Sequence, residues 1–271
     1  MANGTYDLKW GQDIATNITP QIKPEVDKIR VARPLLPIVP GNATYESSVP
    51  SLKIDPGPPL SIPVAQPVAP VRISIEFLLK QEYFGDDVTM SRLALRAASD
   101  LASAEDTIVL HGKYAAALLA SKKIPVNDDN QTMNQQDGLF SQPPKALAAN
   151  RTLVDAILDG LQQLQDDRQY GPYCVIVSPD LHREAMSPIP NSGLTQVSPV
   201  LPRLAENGFQ LSSAAPKRTG VLFSLGGAAM ELVIPWDAHV ECRKVEGDAT
   251  FVVVQQFRLR INDPRALVTL T

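Results

Sequence analysis

Three histidines, two cysteines and a handful of carboxylates are the groups in this chain with chemistry to offer. His111, His182 and His239 are far apart in sequence. None has a second ligand at a helical or zinc-finger spacing, so the pattern assigns no metal. Asp128-Asp129 is a paired carboxylate, but it sits in a polar, amide-rich stretch where both groups are expected to be solvated. Ser224-Leu225-Gly226-Gly227 holds a glycine pair without the G-x-G-x-x-G or P-loop pattern that cradles phosphate. No G-x-S-x-G elbow is present. Cys174 lies in the apolar run Tyr173–Val177, where a thiol is expected buried and inert. Linear spacing points to no catalytic constellation, and the expectation is that the protein is not an enzyme.

The bulk composition narrows the class. The chain has 271 residues, 44% of them hydrophobic, enough to fold around a sizeable core. Its net charge is −4, so no basic excess advertises nucleic acid, and no specific nucleic-acid partner is expected. Two cysteines exclude a disulfide framework and suit a reducing cytoplasm, the expected location. Met1 to Trp10 is polar and lacks the apolar core of a signal peptide. No run of 18 apolar residues exists, so no membrane partner is expected.

Half of the 24 prolines lie before residue 71. Proline fixes φ and lacks an N–H, so residues 46–72 are expected to run extended rather than helical. Leu52, Ile54, Leu60, Ile62, Val64 and Val68 punctuate that stretch. They cannot enclose a core by themselves, which suggests an arm ordered by a neighbouring copy; a flexible proline-rich linker is the competing reading. Upstream, Trp10, Ile14, Ile18, Ile22, Val26 and Ile29 recur at helical spacing. Pro20 and Pro24 interrupt them, predicting two short helices. The stripe either packs on the chain's own core or docks on a neighbour or cargo.

Val71–Leu79 alternates as a strand. Thr89–Val109 reads as a long helix with Leu93, Ala97, Leu101, Ala104 and Ile108 on one face and Asp86, Asp87 or Thr89 as its cap. Residues 127–142 read as a loop. A second helix carries Leu153, Ile157, Leu161 and Leu164. Tyr173–Val177 is a buried strand, followed by a helix starting at Ser178-Pro179. Residues 187–199 form a loop. Short strands are expected at Val221–Leu225, Met230–Ile234 and Ala238–Arg243, then a long one at Thr250–Ile261 and a last one at Ala266–Leu270.

These segments, in this order, resemble the family-one encapsulins, the linocin-type shell proteins, over most of residues 70–271. Four pieces carry the resemblance. Arg72–Phe77 leads to "AASDLASAEDTIVLHG". Tyr170-Gly171-Pro172-Tyr173 leads to Val175–Leu181. Ser224-Leu225-Gly226-Gly227 runs on to Glu231-Leu232-Val233. Phe257–Leu270 includes Asn262, Pro264 and Ala266.

The resemblance implies an α+β, tailed-phage major-capsid-like fold. Residues 1–45 would be an N-terminal arm, 46–72 an extended loop, 73–142 a peripheral domain with a spine helix, 143–233 an axial domain, and 234–271 a return to the peripheral domain. It implies a subunit that assembles with itself into a closed icosahedral shell around a cargo enzyme of iron storage or oxidative defence. The cargo would carry a C-terminal targeting peptide. A viral or proviral major capsid protein is the alternative with the same fold. The cargo groove would lie at Trp10, Ile14, Ile18, Ile22, Val26 and Ile29, although the two prolines depart from the family's continuous helix. Pro188, Ile189, Pro190, Asn191, Ser192 and Gly193 take the place of a pore loop. Some relatives bind flavin beside an aromatic residue after the first strand. Here Lys80–Phe84 lacks tryptophan, so no cofactor is assigned.

Overall fold

The computed structural model describes residues 6–41, 43–50, 53–54, 67–140, 143 and 145–271. In chain order, the helices are α1 (Leu8–Ile29), α2 (Ala43–Ser47), α3 (Asp87–His111), α4 (Ala115–Ser121), α5 (Leu153–Asp166) and α6 (Pro179–Ala185). The strands are β1 (Ile38–Pro40), β2 (Val71–Leu79), β3 (Val126–Asp128), β4 (Tyr173–Val177), β5 (Phe209–Leu211), β6 (Gly220–Ser224), β7 (Met230–Glu246), β8 (Asp248–Ile261) and β9 (Leu267–Leu270).

Two mixed sheets result. The first has the order β1-β7-β8-β2-β3 and the second β5-β4-β6-β9. β2 is antiparallel to β8 along its whole length, from Val71 opposite Phe257 to Leu79 opposite Ala249. β7 and β8 form a long hairpin in which β7 carries three register shifts. The expected strands Met230–Ile234 and Ala238–Arg243 are therefore one 17-residue strand. The first of these shifts, between Val233 and Trp236, falls at Pro235, whose missing N–H the bulged geometry accommodates. β7 joins the first sheet already at Met230, and β9 closes the second sheet against β6, whereas the sequence placed 234–271 together with the first. The turn Pro264–Ala266 carries the chain across.

β4 and β6, at the centre of the second sheet, are buried along their whole length, which fits their apolar sequences. Cys174, Ile176, Val221 and Phe223 look toward the core of the first sheet. Val175, Val177, Leu222, Val268 and Leu270 meet Leu153, Ile157, Leu161 and Leu164 of α5 in a second core.

α1 is one continuous 22-residue helix, correcting the expected pair, with Pro20 and Pro24 inside it. Both prolines sit on the exposed side. Thr16 and Pro20, whose carbonyls lose an N–H partner, are exposed residues where water can substitute, which lowers the cost. On the other side Ile18, Ile22 and Val26 are at most 4% exposed. That burial holds the helix together across the breaks. Gly11 allows the closest approach to β7, since a Cβ there would lie 2.2 Å from Cys242 Sγ.

α3 spans about 37 Å at 1.5 Å per residue. Asp86 caps it, accepting from Val88 and Thr89 N–H at 3.1 and 3.2 Å. The single apolar face expected of it holds only in its first half. From Ala104 to His111 every residue is buried. The loop at 136–140 crosses that end, with Leu139 and Phe140 N–H donating to Val109 and Leu110 carbonyls.

Candidate assembly and cargo surfaces

Among the described residues, the three histidines find separate partners. His111 is buried, with Nε2 2.9 Å from the Ala214 carbonyl and its pKa lowered by burial. His182 stacks on Phe209, and His239 lies between the Asp237 carbonyl and Glu241. No cluster of three metal-binding side chains occurs among the described residues. Burial pushes the Cys174 thiol up to about 11. No helix among the described residues is long and apolar enough to cross a membrane.

The arm is anchored at both ends to its own chain. Val49 pairs with Val68 in a single antiparallel bridge. Gln256 and Arg260 of β8 donate to the Glu46 and Pro50 carbonyls at 2.9 and 3.0 Å. Ile54 N–H donates to the Asn262 carbonyl at 2.7 Å. Of the predicted arm residues, Ile54 and Val68 are thus seated, half-buried, on the sheet's margin. Leu52, Leu60, Ile62 and Val64 lie outside the described residues. The expectation that the whole of 46–72 needs a neighbour is corrected for these two ends, because backbone hydrogen bonds to β8 and to Asn262 already order them.

The predicted cargo groove is redistributed. Ile18, Ile22 and Val26 form part of the main core, so their side chains have no surface to offer a peptide. Ile14 and Ile29 are partly buried against the same core. Trp10, at the start of α1, and Phe84 are also partly buried against that core. The Trp10 ring lies 4.9 Å from Tyr6 and 4.7 Å from Phe84, and Tyr6 lies 4.9 Å from Phe84. Tyr6 is 40% exposed, and Leu8, Tyr83 and Val88 nearby in the chain are exposed as well. The aromatic trio thus gathers three rings from two segments at an accessible end of the helix. Sequence reading missed Tyr6 and Phe84 as partners of Trp10. Tyr6 carried a signal, being four residues before Trp10. Phe84 carried none, because β2 and the turn after it bring it there.

The predicted pore loop is an ordered, exposed turn. Pro188 bridges Thr195, Ile189 N–H donates to the Leu194 carbonyl, and Ser192 N–H to the Ile189 carbonyl. Asn191 and Gly193 take positive φ to close it. Ile189 is half-buried, while Pro188, Pro190, Asn191, Ser192 and Gly193 are exposed and uncharged. Met186, Leu194, Leu201 and Leu211, also on this second unit, are exposed apolar side chains.

A buried ionic node fastens α1 to the rest. Arg30 forms an ion pair with Glu105 at 2.5 Å and donates to Gln255 Oε1 at 2.5 Å. Arg33 pairs with Asp237 at 2.8 Å. Asp106 accepts from the Val31 and Ala32 N–H groups at 2.8–3.1 Å. Burial pushes the Asp106 carboxyl up to about 7, against the pull of those N–H groups and Arg30. The Glu105-Asp106 pair is the same one that carried the sequence resemblance.

Residues 39–257 match the sequence family described as "Encapsulating protein for peroxidase", Linocin_M18. The type 1 encapsulin shell protein EncA of Myxococcus xanthus (strain DK1622) is 27% identical over 118 residues. That match covers 42% of this chain and 40% of the relative. The virus-like particle of Pyrococcus furiosus superposes with a TM-score of 0.69 at 15% identity, covering 96% of this chain and 98% of that one. The SrpI encapsulin of Synechococcus elongatus PCC 7942 gives 0.53 at 11% identity over 99% and 91%. The capsid of Myoviridae phage XM1 gives 0.54 at 15% identity over 86% and 89%.

Proposed function

This chain belongs to the encapsulin family of shell-forming proteins and has the tailed-phage major-capsid fold, and from that premise we propose that it assembles with copies of itself into a closed container for a cargo protein. The family match over 39–257 carries this reading. The geometry supports it. Val49 and Val68, bridged to each other at the two ends of the arm, give it a fixed base. Proline-rich chain anchored at both ends loses little entropy on docking against a neighbour. Exposed apolar side chains on the second unit are surfaces that contact between copies would cover.

Cargo reception is assigned to the Tyr6–Trp10–Phe84 cluster rather than to the buried α1 stripe. Aromatic rings with exposed apolar neighbours suit a short apolar peptide. An iron-handling or oxidative enzyme is the cargo class we favour; the family's description names a peroxidase. Phage capsids share the fold, but the sequence match is to encapsulating proteins, which favours a cellular container over one for nucleic acid.

Co-expression with a candidate cargo tests the cargo assignment. Cargo should co-purify with particles of the unaltered chain. Substituting Trp10→Ala with Phe84→Ala should yield particles of the same size with at least about tenfold less cargo, the scale of losing an aromatic anchor. Full cargo retention in such particles would move the cargo surface elsewhere.

A further inference from the structure

A hollow lies between the base of the arm, the turn at 133–138 and β8. It consists of two adjoining cavities, of about 200 and about 280 Å³, which share Lys53, Asp137 and Ile261. The larger reaches from Val49 and Pro50 to Arg258 and Arg260. The smaller has Gln136 in its wall.

The charges around this hollow do not balance. Arg260 is fully engaged, with Glu231 at 2.6 Å and the Pro50 carbonyl at 3.0 Å. Arg258 is 7% exposed and donates through Nη2 to a neutral group, the Gln135 carbonyl, at 2.7 Å. Its Nη1 is buried without a hydrogen-bond partner. It makes no ion pair with a described residue. Asp137 is the carboxylate of the hollow, and it pairs with Lys53 at 3.9 Å, where both side chains are at least half exposed. Asp137 also attracts the Arg258 guanidinium through space, but makes no ion pair with it, and its half-exposed charge is screened by solvent. Gln136 is 1% exposed, and both atoms of its side-chain amide also lack partners.

A buried cation without a counter-charge is costly, as is a buried amide without hydrogen bonds. Burial holds the Arg258 pKa below the usual arginine range. We propose that this hollow is a binding site for a small oxyanion of the phosphate class, which supplies Arg258 with its missing counter-charge. The guanidinium fork matches two oxygens of such an anion. Gln136 lines the adjoining smaller cavity, and Lys53, which borders both, is a second cation at the mouth. The larger cavity has room for phosphate together with water. Occupancy would also brace the arm's base, since Pro50 and the turn at 135–137 flank the same space. The site does not depend on the shell reading, because binding is measured on the chain in whatever assembly it adopts.

Calorimetric titration of inorganic phosphate into the full chain, at constant ionic strength set with chloride, tests the proposal. Sulfate and acetate serve as comparison anions. Saturable binding near one phosphate per chain is expected, stronger than acetate. Arg258→Gln keeps a donor for the Gln135 carbonyl and should weaken binding at least about tenfold, as for loss of a charge-assisted hydrogen bond. Lys53→Ala, at an exposed position, should weaken it about threefold. Absence of saturable binding would overturn the site, as would unchanged affinity in both variants. Acetate binding as tightly as phosphate would overturn the phosphate assignment. Should Arg258→Gln fail to fold, an unchanged affinity in Lys53→Ala would by itself refute the proposal.

Discussion

Asp106 shows how one residue in a helix can fasten another helix. Its carboxyl reaches from α3 to the N–H groups of Val31 and Ala32, just past the end of α1. Arg30, Arg33, Glu105, Asp27 and Asp237 are the charged groups of the surrounding node. Because burial raises the Asp106 pKa to about 7 from an unfolded value near 4, the folded state holds its proton more tightly. The resulting stabilisation is fully present below about pH 4 and is lost as pH rises through about 7. Asp237 and Asp263 are shifted the other way, and their contributions are lost only in acid, as pH falls below the usual carboxylate range. Thermal unfolding of the unaltered chain should therefore shift to lower temperature as pH rises from about 4 to about 7. Asp106→Asn, which cannot ionise, should flatten that slope. A slope identical in both proteins would show that Asp106 does not titrate there.

Elements differ in how much of them could be read from the chain alone. β2 was legible to its ends, because Val71, Ile73 and Ile75 alternate with polar residues. β4 was legible because five apolar residues sit between Pro172 and Ser178. α3 was legible from Leu93, Leu101 and Ile108, but not its enclosed end, since Glu105, Asp106 and His111 are polar residues whose burial depends on distant partners. α1 misled because proline was weighed without knowing which side faces water. Pro20 and Pro24 fall on the solvent side, which only the packing of Ile22 and Val26 on the core decides. The aromatic cluster was half legible, through Trp10, while Phe84 arrives from another segment. Two outcomes belong to this scale. Ile22→Ala should destabilise the chain by about 2–5 kcal/mol in denaturant unfolding, as for other fully buried large-to-small changes. Gly11→Leu should push α1 off Cys242 and raise hydrogen exchange in its first turns. Normal exchange there would show that the close approach is not needed.

At the scale of the whole molecule, two sheets with their own cores are joined by β7, which begins at Met230, and by the turn into β9. The arm is tied to its own chain at its two ends. Replacing residues 55–66 by a short glycine-serine link should leave the bridge of Val49 with Val68 and the melting of the isolated chain little changed, because loop shortening alters closure entropy only slowly. Assembly should be lost. Particles of unaltered size from that variant would remove the arm from the account. The shell reading itself meets its most direct test in the size of the purified protein. Size-exclusion chromatography with light scattering, followed by electron microscopy of the peak, should show closed, uniform particles of megadalton mass. A species no larger than a monomer or dimer across salt and pH would contradict it.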